Sequence, residues 1–82
     1  MTANRELIQQ RARNLLANIL KMDASGIEEN ASLRSNGLDS IGMIELIAEL
    51  ETEFNIRIAD REVRPEVFEN LSSLTDFIAK KI

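Results

Sequence analysis

Asp39-Ser40-Ile41-Gly42-Met43-Ile44-Glu45-Leu46-Ile47-Ala48-Glu49-Leu50-Glu51-Thr52-Glu53-Phe54 is the stretch whose reading decides the fold. With Ser40 at zero and a step of about 100° per residue, Met43, Leu46, Ile47, Leu50 and Phe54 fall between roughly 240° and 340°. That is one apolar face of ordinary width, the signature of a helix packed on a core. The helix is predicted from about Ser40 to Asn55, with Asp39 as its N-cap. Ile41, Ile44 and Ala48 fall outside the face, at roughly 40° to 100°, and Glu45 and Glu49 follow at roughly 140° and 180°. The helix thus carries a second, smaller apolar strip bordered by carboxylates. Either the neighbouring loop or another helix covers Ile41 and Ile44, or they face a partner.

Working outward, residues from Asn4 to Met22 place Leu7, Ile8, Ala12, Leu15, Leu16, Ile19 and Leu20 at helical spacing. Thr2 or Asn4 is available to cap this first helix, and Asp23 to Gly26 breaks it. Between Gly26 and Asp39 the periodicity disappears and Ser, Asn and Gly accumulate, which predicts a long loop pinned by Ile27 and Leu33. Asn36-Gly37 marks a turn. Ile56 and Ile58 alternate with polar residues like a strand, but nothing else in the chain could pair with them, so a loop is expected. Pro65 suits the first position of a short helix carrying Val67 and Phe68. A last helix is predicted from Ser72 or Ser73, where Ser73 and Asp76 have capping-box spacing. Leu74, Phe77, Ile78 and Ile82 form its apolar side, and Lys80-Lys81 favour its C-terminus. The fold expected is all-α: a small four-helix bundle of three longer helices and one short one, with a long loop between helices 1 and 2.

Length and composition narrow the functions. Eighty-two residues make one domain, so residues 1–82 are expected to form a single unit. Without cysteine there is neither a disulfide nor a thiol nucleophile, and without histidine the commonest general base is missing. No apolar run is long enough to span a membrane and no secretory leader pattern opens the chain, so a monomeric, cytoplasmic protein with no membrane insertion is expected. The net charge of −4 is unevenly spread. Arg5, Arg11, Arg13 and Lys21 outweigh Glu6 in the first helix, whereas Asp39, Glu45, Glu49, Glu51 and Glu53 occupy a segment with no basic residue. That segment excludes nucleic acid, whose phosphates need clustered Lys and Arg, and suits a basic protein surface.

Ser40 would lie in the first turn of the second helix, near unpaired backbone N–H groups and the positive end of the dipole. This setting favours a phosphate ester on its hydroxyl. By position alone, Ser40 could equally be an ordinary polar terminus, Asp39 only a cap, and the glutamates a solvated face. A serine nucleophile would need an activating base that the local sequence does not supply, and no catalytic or metal-ligating residue is assigned.

The run Gly37-Leu38-Asp39-Ser40-Ile41, with Glu45-Leu46 behind it and Leu50, Glu51, Glu53 and Phe54 continuing it, resembles the attachment-site signature of the acyl and peptidyl carrier proteins. The likeness extends over nearly the whole chain. It implies that a phosphopantetheinyl transferase, using coenzyme A and magnesium, attaches 4′-phosphopantetheine to Ser40. The arm's thiol would then hold an acyl or aminoacyl cargo as a thioester. The resemblance also implies a partner face of Asp39, Ile41, Ile44, Glu45, Ala48 and Glu49, which is the strip found above. An acyl- or aminoacyl-loading enzyme and a downstream transferase or synthase would read that face. Ile41 replaces the more usual Leu, Gly42 replaces a side chain that fatty-acid carriers often use as an acid, and Arg34 interrupts the acidic surroundings. Residues Arg64 to Leu74 look more like discrete carriers of specialised polyketide, nonribosomal peptide or aminoacyl-transfer pathways than the carrier of fatty-acid synthesis, which is the alternative. An unmodified helical interaction module would share the bundle but not depend on Ser40.

Overall fold

The first helix is held at its start by Asn4, whose side-chain oxygen accepts from the backbone N–H of Glu6 at 2.9 Å and of Leu7 at 3.4 Å. A computed structural model describes residues 4–82; the alternative cap, Thr2, lies outside them. Helix α1 spans Arg5–Leu20, and Ile8, Ala12 and Leu16 form its fully inward row, one turn apart. It stops at Lys21, which adopts the left-handed conformation at φ 56°. A short 3-10 turn at Ala24–Gly26 follows, capped by Asp23.

Helix α2 spans Ser40–Phe54 and α3 spans Leu71–Lys81. The face computed from periodicity is the one that packs: Leu46 and Leu50 are wholly inaccessible, Phe54 is buried, and Met43 and Ile47 lie against the core. From α3, Leu71, Leu74 and Ile78 close the bundle. Thr75, also buried, satisfies its hydroxyl within the helix by donating to the Leu71 carbonyl at 2.7 Å. Helix α1 packs against both partners and is fastened to each by an arginine. Arg5 reaches Asp76 and Ser72 on α3, and Arg11 pairs with Glu53 while lying over the Phe54 ring.

The all-helical bundle with its long first connection forms, and among the described residues no strand is present. Ile58 turns inward and its N–H donates to the Glu51 carboxylate, so the alternating segment serves as a buried connection. Two details differ from expectation. The short helix expected from Pro65 is reduced to one turn at residues 65–67, where the Arg64 carbonyl accepts from both Val67 and Phe68, and a separate 3-10 turn at Asp60–Glu62 precedes it. The spiral cannot continue because the Glu69 carbonyl takes the Leu33 N–H and Asn70 is extended to cap α3. Accordingly α3 begins at Leu71, not at Ser72 or Ser73. Asn70 is its cap, and Ser73 is the reciprocal partner whose hydroxyl accepts the Asn70 N–H.

Candidate functional site

The loop before α2 is long but closely tied. Leu33 is inaccessible, Leu38 is nearly so, and the Leu38 N–H closes the intervening turn on the Leu33 carbonyl at 3.0 Å. Inside that turn the Gly37 N–H donates to the Arg34 carbonyl, with Gly37 at φ +109°, a region that glycine enters without a Cβ penalty. The chain leaves the turn at Asp39. There Oδ1 accepts the Gly42 N–H at 2.7 Å and so starts α2.

Ser40 is the first residue of α2 and is exposed. Its hydroxyl hydrogen-bonds to nothing among the described residues. Ser32, the other hydroxyl lining the same cleft, is engaged by the Ser35 N–H at 3.2 Å. The cleft is open, about 1080 Å³, and is floored by Leu38, Met43 and Phe68. Asp39, Glu66 and Glu69 put carboxylates on its walls, and Arg34 supplies the one basic side chain among the described lining residues.

Beside Ser40, Ile41 is 71% exposed and Ile44, which also lines the cleft, is 70% exposed; they are the two most exposed large apolar residues described. Ala48, Glu45 and Glu49 are exposed beside them. Neither the loop nor α3 covers the strip, so the bundle leaves the apolar row to solvent.

Gly42 has a role beyond weakening the helix. It is buried, and a Cβ added there would sit 3.1 Å from a Leu38 methyl, 3.2 Å from the capping oxygen of Asp39 and 3.4 Å from Ile19. Glycine lets the loop, the cap and α1 converge under Ser40. The 65–69 segment is the other contribution that periodicity does not place at the site. Pro65 signals a turn, but that Phe68 and Glu69 face Ser40 follows only from the long-range Leu33–Glu69 hydrogen bond.

Chemically, the arrangement presents a free hydroxyl at the positively polarised end of a helix, in an open cleft that Arg34 also lines. That fits a phosphodiester-linked group. It is a poor setting for a hydroxyl to act alone, because no lysine lines the cleft and the Asp39 oxygen that faces α2 is engaged by the backbone. Among the described residues no group of three or more acidic, His or Cys side chains could hold a metal ion, and no helix is long and apolar enough to cross a membrane.

Comparison with known proteins supplies the family. The sequence model of the family described as "Phosphopantetheine attachment site" matches residues 10–78. An acyl carrier protein of Thermotoga maritima is 27% identical over 81 residues, covering 98% of this chain and 98% of that protein. An acyl carrier protein of Guillardia theta is 30% identical over 80 residues, covering 96% of each. Aminoacyl carrier protein 2 of Bradyrhizobium diazoefficiens is 26% identical over 77 residues, covering 92% of this chain and 86% of that one. Among solved structures, a chain from the Bradyrhizobium japonicum glycine:[carrier protein] ligase complexed with glycylated carrier protein superposes with a TM-score of 0.69. That match is 29% identical and covers 87% of this chain and 97% of that one. The chain therefore belongs to the acyl and aminoacyl carrier proteins, which hold their cargo on phosphopantetheine and are not themselves enzymes.

Proposed function

We propose that Ser40 is the attachment residue, that residues 1–82 act as one carrier unit, and that the cargo is an acyl or aminoacyl group held as a thioester. The observation that carries the assignment is the exposed, unbonded Ser40 hydroxyl at the first turn of α2, next to the uncovered Ile41 and Ile44. A visiting transferase brings the base that this chain lacks; Ser40 contributes an accessible oxygen, and the helix terminus stabilises the charge placed on it. When bound, the group supplies a thiol at the end of a flexible arm, which raises the effective concentration of the cargo at a docked partner's active site. Asp39, Ile41, Ile44, Glu45, Ala48 and Glu49 form the partner face. Its apolar strip seats a complementary groove, and its carboxylates select partners with a basic rim.

Between the two kinds of cargo we favour aminoacyl loading in a specialised pathway, with a ligase as loading enzyme and a transferase downstream. The likeness to a carrier named for aminoacyl groups and to a chain from a glycine:[carrier protein] ligase complex supports this. Fatty-acid synthesis is the second reading, supported by relatives of similar identity named acyl carrier proteins. We place the protein in the cytoplasm as a monomer.

Intact-protein mass spectrometry after incubation with a broad-specificity transferase and coenzyme A tests the site. The wild type gains one phosphopantetheine mass, Ser32→Ala gains it as well, and Ser40→Ala gains none. Modification of Ser40→Ala would sink the assignment. Offering the modified protein to an aminoacyl-adenylating ligase and to a fatty-acyl loading enzyme separates the two kinds of cargo.

A further inference from the structure

We propose that Arg34 is a positioning residue that pairs with the phosphodiester formed at Ser40 and lays the first part of the arm along the cleft. The inference rests on the assignment of Ser40. Arg34 lines the cleft that Ser40 opens into, and its backbone is fixed by neighbours on both sides. Leu33 before it is inaccessible, and the carbonyl of Arg34 itself holds the Gly37 N–H. Its guanidinium forms neither an ion pair nor a side-chain hydrogen bond among the described residues, although Glu66 and Glu69 line the same walls. A basic side chain has thus been left uncommitted at the edge of an otherwise acidic cleft.

Charge explains why such a residue is needed. A phosphodiester on Ser40 adds a negative charge one residue from Asp39, in a cleft that already carries Glu66 and Glu69. The helix dipole offsets this at the first turn only. A guanidinium matches two phosphate oxygens with a planar pair of donors, which a water-separated cation cannot do. A phosphate turned toward Arg34 would direct the following atoms of the arm into the cleft lined by Met43 and Phe68.

The test compares apo and modified protein by 1H–15N NMR in the wild type, Arg34→Gln and Arg34→Lys, after mass spectrometry has shown that each carries the arm. In the wild type, modification is expected to shift the Arg34 Nε–H resonance and the amides of Met43 and Phe68. The amide shifts are expected to fall at least twofold in Arg34→Gln and to survive in large part in Arg34→Lys. Raising the salt concentration should shrink them in the wild type and change little in Arg34→Gln. Apo spectra of the variants that match the wild type beyond residues 32–37 establish that the fold is retained. An unmoved Arg34 Nε–H, or amide shifts of the same size in Arg34→Gln, overturns the pairing and leaves Ser40 standing. If the wild type accepts no arm at all, the Ser40 assignment and this inference fall together.

Discussion

Two single residues set local behaviour that can be measured directly. Glu62 accepts from Lys81 Nζ at 2.9 and 2.8 Å and from the Ala59 N–H at 2.8 Å. The Lys81 hydrogen bond, then the Ala59 N–H, hold its carboxyl below the ordinary glutamate value. A depressed folded value means that the unfolded chain binds the proton more readily. The contribution is therefore complete above the ordinary glutamate range and is lost as pH falls through the lowered value. Wild-type stability is expected to drop on acidification through that window, and Glu62→Gln should flatten this part of the profile in urea titrations at stepped pH. An unchanged slope would show that the contact is inert. Gly42 gives a second measurement. Alanine gains up to about 1 kcal/mol of helix propensity over glycine, but here its Cβ would press on the Asp39 cap oxygen and a Leu38 methyl. Losing an N-cap costs about 1 kcal/mol, and the crowding adds to that, so Gly42→Ala should lower stability despite the better propensity. Placed on an Asp39→Ala background, where the cap is already gone, the same change should cost less. A stabilised Gly42→Ala would mean that the loop yields without cost.

At the scale of elements, α2 was legible from sequence because two periodic rows lie on it: Leu46, Leu50 and Phe54 inward, Ile41 and Ile44 outward. The Asp39 cap was equally clear, because a side-chain acceptor just before an apolar run has few alternatives. The segment between α2 and α3 was less legible. Pro65, Val67 and Phe68 have helical spacing, yet the turn ends where the Glu69 carbonyl finds the Leu33 N–H, a partner 36 residues away in the chain. Ser73 with Asp76 and Asn70 with Ser73 both have cap spacing. The choice fell to Asn70 because the Ser73 hydroxyl is occupied by the Asn70 N–H and the Val67 carbonyl. The two faces of α2 should separate cleanly on mutation. Leu46→Ala opens a void under the helix and is expected to cost about 2–5 kcal/mol. Ile44→Asp should leave the melting temperature within a degree or two, since its side chain already stands in water. The same change is expected to slow modification and loading at least tenfold. Full loading of Ile44→Asp would remove the strip from the partner face.

For the whole molecule, the core takes most of the described leucines and isoleucines inside, Leu7 and Ile82 stay exposed elsewhere, and the two most exposed, Ile41 and Ile44, lie together at one corner. Ser40, the cleft and the apolar strip meet at that corner, and α1 holds the far side with Arg5 and Arg11. Two hydrogen bonds brace the corner from below: the Leu33 N–H to the Glu69 carbonyl and the Ser72 N–H to the Glu29 carbonyl, each 2.9 Å. They stitch the long loop to the approach of α3, so a connection that reads as slack is clamped at two points. The amides of Leu33 and Ser72 should therefore exchange with deuterium slowly and in step, at rates nearer those of helix interiors than of surface loops. A pivot clamped in this way does not recoil when a load is pulled. The reach of whatever hangs from it would then be set by the tether and its contacts in the cleft, and not by movement of the loop beneath.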